Sequence, residues 1–246
     1  MIDLEMEGEV SKLIETVSPK IDLTNVEYIL DLGTADLGAS FAFSRIFPKA
    51  KIIAFECNPS SVEKCKETHK KFNPENIIFV DKAVYNKNCL LDFYPVDMVN
   101  SPSKNWKAGS FFQFNPNYVA TIENVIQSKN PVKVEAVKLK DYLQSININK
   151  IDIVWADIQG AELFALQGME DLLFKTRLLH LEVEYDHNPT YLNHPCKNEL
   201  EKFLLEKNFE SFGHLLYNEK LVDDPINYMP NISWANFIYI NKGYKL

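Results

Sequence analysis

Short apolar runs alternate along most of this chain with segments of helical periodicity. Runs of strand length that end on a polar or turn-forming residue predict strands, several of them buried. They read VEYILDLG, KIIAFE, NIIFVDKAV, VKVEAVK, IDIVWAD and LLHLEVEY. Strands that alternate with helices form parallel sheets through right-handed crossovers, so the pattern predicts an α/β fold.

The segments between these runs carry apolar residues at steps of three and four, the spacing of a helix that buries one face. We expect helices over 5–17, 39–47 and 198–207, one behind the cap Asn58-Pro59, and one behind Gln159-Gly160. The first of them belongs to an N-terminal helical cap, residues 1–25, at one edge of the sheet or over the site.

The C-terminal part of the chain holds two strand candidates, FESFGHLLY and WANFIYIN, without a clear helix between them. They predict a C-terminal antiparallel hairpin. Because no internal repeat and no linker interrupts the pattern, we expect a single domain over residues 1–246. Its sheet should be mostly parallel and seven-stranded, with helices on both faces.

Residues 95–131 do not follow either period. This stretch holds four prolines and several aromatic residues, and only 118–127 has a helical pattern. A long irregular insertion in an α/β domain is often a lid or a binding loop. We therefore expect an acceptor-binding lid here, in which aromatic rings stack on a ligand or bury the insertion itself.

Composition narrows the class of protein. The chain is 46% hydrophobic and 24% charged, and no apolar run approaches the roughly 20 residues that span a bilayer. Its first residues are acidic, unlike a secretory signal, so we expect a cytoplasmic protein. The net charge of −8 disfavours nucleic acid as a partner. The four cysteines have no zinc spacing.

Four of the strand candidates end on an acid. These acids are Asp31, Glu56, Asp81 and Asp157. Any one of them could be a helix cap or a turn former. Ligands of open α/β sheets, however, sit outside the carboxyl ends of the strands, so four acids on one edge predict a polar ligand site.

The first strand–helix turn indicates the kind of ligand. Gly33 and Gly38 flank it, but the middle glycine of a dinucleotide fingerprint is missing and Asp36 lies inside the loop. A carboxylate there repels a pyrophosphate and tolerates a sulfonium and an ammonium group, which favours S-adenosylmethionine. Glu56 would accept the ribose hydroxyls. Asp81, with Lys82 and Ala83, would lie beside the adenine.

At this point the sequence resembles the FkbM family of S-adenosylmethionine-dependent methyltransferases over about 28–212. The matching blocks are DLGTADLGAS, FPKAKIIAFECNP, VDKAV, IVWADIQGAELFALQGM and LHLEVEY…NPTYLNHP…ELEKFLLEKNF. The resemblance implies a class I methyltransferase, Rossmann-like fold. It also implies methyl transfer, usually to a hydroxyl oxygen of a sugar, a glycan or a small natural product.

This resemblance implies that Asp31, Gly33 and Glu56 bind the cofactor, and also Asp81. Asp157, Gln159, Gly160 and Glu162 match the block where the cofactor's methyl end meets the acceptor. The first loop is one residue longer than the common family form, which leaves the roles of Asp36 and Ser40 open.

Catalysis of methyl transfer to a hydroxyl rests on alignment and on removal of a proton. Asp157 is the first candidate for the base, with Glu184 and His187 as runners-up; Asp157 could instead cap a helix or hold the cofactor's ammonium group. Asp157 and Glu184 could also ligate a divalent metal, but no third ligand is evident and we expect none. Histidines recur every seven residues, at His180, His187 and His194, which is not a zinc spacing.

Three other functions stay open from the sequence. They are an NAD-dependent oxidoreductase, a non-catalytic domain that binds the cofactor, and an RNA methyltransferase. Neither the acceptor nor the oligomeric state is indicated.

Overall fold

Helices and strands alternate through residues 4–103, 105–116, 125–215, 221–229 and 231–245, which the computed structural model describes. The helices are α1 (Leu4–Val17), α2 (Gly38–Ile46), α3 (Pro59–Phe72), α4 (Leu139–Ser145), α5 (Glu162–Met169) and α6 (Lys197–Glu206). The strands are β1 (Tyr28–Leu32), β2 (Lys51–Glu56), β3 (Ile77–Asp81), β4 (Ala83–Tyr85), β5 (Cys89–Phe93), β6 (Val132–Lys138), β7 (Ile153–Ala156), β8 (Leu178–Glu184), β9 (Phe209–Leu215), β10 (Leu221–Val222) and β11 (Trp234–Asn241).

The main sheet has the order β10-β9-β11-β8-β7-β1-β2-β3. Strands β3, β2, β1, β7 and β8 run parallel, whereas β11 pairs antiparallel with both β8 and β9. This arrangement confirms the mostly parallel α/β sheet with an antiparallel hairpin at its end. The expected number of strands was wrong by one, because the two-residue β10 adds to the outer side of β9.

A second, three-stranded sheet has the order β4-β6-β5. The run NIIFVDKAV divides at Lys82 between β3 of the main sheet and β4 of the second one. VKVEAVK forms β6 of this second sheet, where only alternate residues are buried. Helix α5 packs against β4, and its Gly168 lies directly against the carbonyl oxygen of Tyr85.

Alternate residues of the central strands pack into two separate hydrophobic cores. Ile29 of β1 faces the core that holds α1, α2 and α3, whereas Leu30 faces the core that holds α4, α5 and α6. The same alternation runs through Ile52 and Ile53 of β2. Both faces of the sheet are therefore covered by helices, as expected from apolar strand runs that allow no polar face.

The amino-terminal ends of three parallel strands meet at the buried carboxylate of Asp152. It accepts hydrogen bonds from the backbone N–H groups of Glu27 (2.8 Å) and Tyr28 (3.0 Å). Arg177, which precedes β8, places its Nε 3.1 Å from the same carboxylate. Asp152 therefore joins the starts of β1, β7 and β8 at the edge of the sheet away from the strand-end acids.

The N-terminal cap expected over residues 1–25 is α1 with the turn that follows it; residues 1–3 lie outside the described part. Val10, Leu13 and Val17 bury one side of this helix in the core shared with α2. None of the described helices is long and apolar enough to cross a bilayer. The division into domains stays a prediction.

Candidate functional site

A cavity of about 880 Å³, its open mouth included, lies at the carboxyl ends of β1, β2 and β7. Because β1 pairs with β2 on one side and with β7 on the other, the strand order reverses at this place. Open α/β sheets bind their ligands at such a reversal.

The cavity wall carries more carboxylates than cations. Its described acids are Asp31, Asp36, Glu56 and Asp157, and its described lysines are Lys82 and Lys107. Lys107 lies 3.6 Å from Asp36, so these two charges largely offset each other. The remaining excess of negative charge favours a ligand with a positive charge and disfavours a pyrophosphate.

The turn after β1 is shaped by contacts within the protein. Gly33 has a φ of +80°, and a Cβ built on it would lie 2.0 Å from the backbone oxygen of Asp157. The turn after β1 therefore packs directly against the chain that leaves β7, which leaves no room for a side chain at Gly33.

Asp31 is buried at the inner end of the cavity. Its Oδ2 accepts hydrogen bonds from the hydroxyls of Thr34 (2.6 Å) and Ser40 (2.5 Å). Burial raises the pKa of this carboxyl to about 6, although both hydrogen bonds act in the opposite direction. Ser40, a predicted cofactor residue, does not reach the cavity wall and instead holds Asp31 in place.

Glu56 joins the turn after β1 to the end of β2. One carboxylate oxygen accepts from the backbone N–H of Ala35 (2.9 Å), and the other from those of Cys57 and Asn58 (both 2.8 Å). Burial raises its pKa to about 6. The carboxylate is fixed on the cavity wall, and with three of its roughly four lone-pair positions occupied it can accept one further hydrogen bond from a hydroxyl of a ligand.

The structure separates Asp81 from the other strand-end acids. Its exposed carboxylate lies 2.8 Å from Nζ of Lys66 on α3 and is not part of the cavity wall. The next two residues, Lys82 and Ala83, do line the cavity. A role of Asp81 in binding a cofactor stays a prediction that this position does not favour.

The part of the 95–131 insertion that the structure describes forms one side of the cavity. Lys107, Gly109, Ser110 and Phe111 lie on the wall. The hydroxyl of Ser110 donates to the backbone oxygen of Gln159 at 2.7 Å. The insertion is a wall in this structure; its role as a lid stays a prediction, and most of the helix expected over 118–127 falls outside the described residues.

Trp106 anchors this wall to helix α3. Its backbone oxygen accepts a hydrogen bond from Nδ2 of Asn58 at 3.0 Å, and Nζ of Lys64 lies 3.3 Å from the centre of its ring. Here the ring makes a cation–π contact with the protein itself. Of the two roles expected for the aromatic rings of the insertion, this contact favours burial of the insertion itself over stacking on a ligand.

Asp157 stands on the wall where β7 ends. Nε2 of Gln159 donates to its Oδ1 at 2.5 Å and also to Oε1 of Glu182 at 3.0 Å. The Asp157 carboxylate is open to the cavity, but protein surrounds it on the other sides, and this poor solvation raises its pKa. Glu182 was missed in the sequence because it lies within the strand β8.

The two runners-up for the base lie away from the cavity wall. Glu184 is buried and accepts from the backbone N–H of Thr190 at 2.9 Å, and burial raises its pKa to about 7. His187 is exposed, with its ring 5.5 Å from that of Tyr185. Of the three proposed bases, the structure brings Asp157 alone to the described wall.

The three evenly spaced histidines occupy different surroundings. His180 is buried and stacks on Trp155 at 3.9 Å, whereas His194 places Nδ1 3.0 Å from the backbone oxygen of Tyr191. Within the described residues, no three His, Cys, Asp or Glu side chains are arranged to hold a metal ion.

The chain is similar in sequence to known methyltransferases. Residues 31–211 match the sequence model of a protein family, the methyltransferase FkbM domain. The chain is 26% identical over 179 residues to 2-O-methyltransferase NoeI of Sinorhizobium fredii, covering 73% of this chain and 69% of that protein. It is 24% identical over 152 residues to Methyltransferase 1 of Beauveria bassiana, covering 58% and 59%.

A solved structure with a similar fold is M. capricolum TrmK in complex with S-adenosyl-homocysteine. The TM-score is 0.49 at 11% identity, over 99% of this chain and 70% of that one. This likeness is too distant to bear on the substrate.

Proposed function

Because this chain belongs to the FkbM methyltransferase family and is an S-adenosylmethionine-dependent methyltransferase, we propose that it methylates a hydroxyl oxygen of a sugar or small natural product. The similarity to a 2-O-methyltransferase supports oxygen as the accepting atom. The observation that carries the proposal is the Asp157 carboxylate on the wall of an acid-rich cavity at the strand-order reversal.

The residues of the cavity fit the cofactor. Glu56 offers a fixed carboxylate whose remaining lone pair suits one of the ribose hydroxyls, because three backbone N–H groups occupy the others. Asp31 and Asp36 add negative charge near a ligand that carries one net positive charge. This chemistry supports Asp31, Gly33, Asp36 and Glu56 as the residues that form the cofactor site, with Gly33 acting through the shape of the turn.

Asp157 has the chemistry of the base. When bound, S-adenosylmethionine supplies a methyl group on a positively charged sulfur. A hydroxyl attacks carbon faster as it loses its proton, and a positioned base contributes about 10²–10⁴-fold. Asp157 can accept that proton, since its carboxylate faces the cavity and Gln159 holds it at 2.5 Å. Alignment of the two reacting atoms supplies the larger part of catalysis.

The proposal is tested with S-adenosylmethionine that carries a deuterated methyl group. The acceptors are a panel of methyl glycosides and small hydroxylated metabolites, and mass spectrometry detects the labelled methyl group. We expect a labelled methyl ether from at least one sugar, and no label on acceptors whose hydroxyls are blocked. Label on nitrogen or carbon acceptors alone would refute the proposal.

The cofactor site is tested separately by calorimetry with S-adenosylhomocysteine. Glu56→Gln removes a charged acceptor and should weaken binding by about 10- to 100-fold, given about 1.5–3 kcal/mol for a hydrogen bond to a charged group. Glu63→Gln is the matched control, because this exposed acid of α3 pairs with Lys66 and is not part of the cavity wall, and binding should not change. Circular dichroism confirms that both variants are folded.

Two of the alternatives are outcomes of these measurements. Binding of NAD in place of S-adenosylhomocysteine would favour an oxidoreductase, which the excess of carboxylates on the wall disfavours. Binding of S-adenosylhomocysteine without transfer to any acceptor of the panel would favour a non-catalytic domain.

A further inference from the structure

The amide of Gln159 connects two carboxyl groups that differ in their surroundings. Its Nε2 lies 2.5 Å from Oδ1 of Asp157, which faces the cavity, and 3.0 Å from Oε1 of Glu182, which is buried behind it. Glu182 is not among the residues that line the cavity. The methylation site proposed above accounts for Asp157 and leaves Glu182 without a role.

The orientation of Gln159 is fixed from its other side. The hydroxyl of Tyr191 donates to Oε1 of Gln159 at 2.5 Å, which turns the amide hydrogens toward the two carboxyls. The hydroxyl of Ser110 holds the backbone oxygen of Gln159 at 2.7 Å. Gln159 has a φ of 53°, a conformation that a non-glycine residue keeps only where its surroundings hold it.

Two carboxyl groups that touch the same nitrogen in a poorly solvated place do not both ionise. The charges around the pair decide which of them keeps the proton. Glu162 and Glu184, whose own pKa values burial raises to about 8 and about 7, add negative charge near Glu182 once they are ionised, whereas Lys107 stabilises the ionised form of Asp157. Asp157 is exposed at the cavity and Glu182 is buried, so ionisation costs less on Asp157 than on Glu182.

From this geometry we infer that Glu182 is a positioning residue. It keeps the single proton of a carboxylic acid–carboxylate pair and, together with Gln159, holds an ionised Asp157 toward the cavity. Burial raises the pKa of Glu182 well above its usual range, and the nearby carboxyls of Asp157, Glu184 and Glu162 raise it further. This direction agrees with the assignment. The inference rests on the proposed function in one respect, namely that the proton which Asp157 accepts comes from the hydroxyl group to be methylated.

Infrared difference spectroscopy of the full chain locates the proton without any acceptor or turnover. We compare wild type with Glu182→Gln at about pH 8.5, where a carboxyl with a pKa of about 7 is ionised. The expected result is loss of a protonated-carboxyl band in Glu182→Gln. Glu184→Gln, the same change two residues along β8, should instead lose a carboxylate band. Loss of a carboxylate band in Glu182→Gln would overturn the inference.

The coupling between the two carboxyls is tested with Asp157→Asn. Without the negative charge of Asp157, the protonated band of Glu182 should disappear at a pH lower by about one unit or more. An unchanged titration would show that the two groups do not share a proton. S-adenosylhomocysteine binding by Glu182→Gln should equal that of wild type. A loss of binding would assign Glu182 to maintaining the site as a whole and would also overturn the inference.

These readouts separate the inference from the proposed function. A failed search for an acceptor leaves the infrared bands unchanged. If the infrared bands show that Glu182 does not hold the proton, the assay for transfer of the labelled methyl group still tests the proposed function by itself.

Discussion

Gly168 offers a test of whether close packing against the second sheet outweighs helix propensity. It lies in α5 and is not among the glycines with positive φ, so alanine is permitted by the backbone. A Cβ at this position, however, would lie 2.3 Å from the carbonyl oxygen of Tyr85 and 3.2 Å from its carbonyl carbon. Tyr85 ends β4 and pairs with Lys138 of β6, so its backbone cannot yield freely.

The magnitude follows from two opposing terms. Alanine in place of glycine inside a helix gains about 0.5–1 kcal/mol. Overpacking of a well-filled contact costs about 1–3 kcal/mol. Because the built Cβ lies 2.3 Å from a backbone atom, the cost belongs to the upper half of that range. We therefore expect Gly168→Ala to lower the free energy of unfolding by about 1–2.5 kcal/mol, or Tm by about 2–10 °C in a chain of this length.

Gly8→Ala is the matched control. Gly8 lies in α1 with nothing within 4 Å of a built Cβ, so only the helix term acts and the variant should be stabilised by about 0.5–1 kcal/mol. Urea unfolding measures both variants, and equal m-values allow the midpoints to be compared. Stabilisation of Gly168→Ala to the same extent as Gly8→Ala would refute the packing argument.

Two further predictions concern charge. Burial raises the pKa of Asp31 and of Glu56 to about 6, so both become neutral as the pH falls through that value. Calorimetry should show weaker binding of S-adenosylmethionine at about pH 5 than at about pH 7.5, with a smaller change for S-adenosylhomocysteine, which lacks the sulfonium charge. Equal changes for both ligands would contradict this electrostatic account. Asp152→Asn should lower stability by about 3 kcal/mol, because it breaks a buried ion pair with Arg177, while S-adenosylhomocysteine binding, at the opposite sheet edge, stays the same. Thermal unfolding measures the first effect, and a Tm equal to that of wild type would contradict it.

The central sheet and the cavity acids could be predicted from the sequence because both depend on local pattern. Continuous apolar runs such as KIIAFE indicate strands that are buried on both faces. The acid that ends each run must lie at the carboxyl edge of a parallel sheet, which placed Asp31, Glu56 and Asp157 near one another. The run VKVEAVK predicted a strand as well, but nothing in it indicated that this strand lies in a second sheet with only alternate residues buried.

Residues that depend on contacts between distant segments could not be predicted in the same way. Glu182 lies inside an apolar strand run, and its meeting with Asp157 requires that β8 lie beside β7. Asp81 has the same sequence pattern as the other acids, but Lys66 of α3 holds its side chain away from the cavity. Lys107 comes from an irregular segment whose path no periodicity indicates.

Helix α1 contributes one residue, Met6, to the wall of the cavity, while the rest of its buried side belongs to the core. Docking of α1 and filling of the cavity are therefore two equilibria that share a contact. Thermodynamic linkage makes their coupling reciprocal, so whatever free energy the docked helix adds to ligand binding, the ligand returns to the docking of the helix. The first turns of α1 therefore contribute to the free energy of ligand binding, although they lie outside the Rossmann-like sheet.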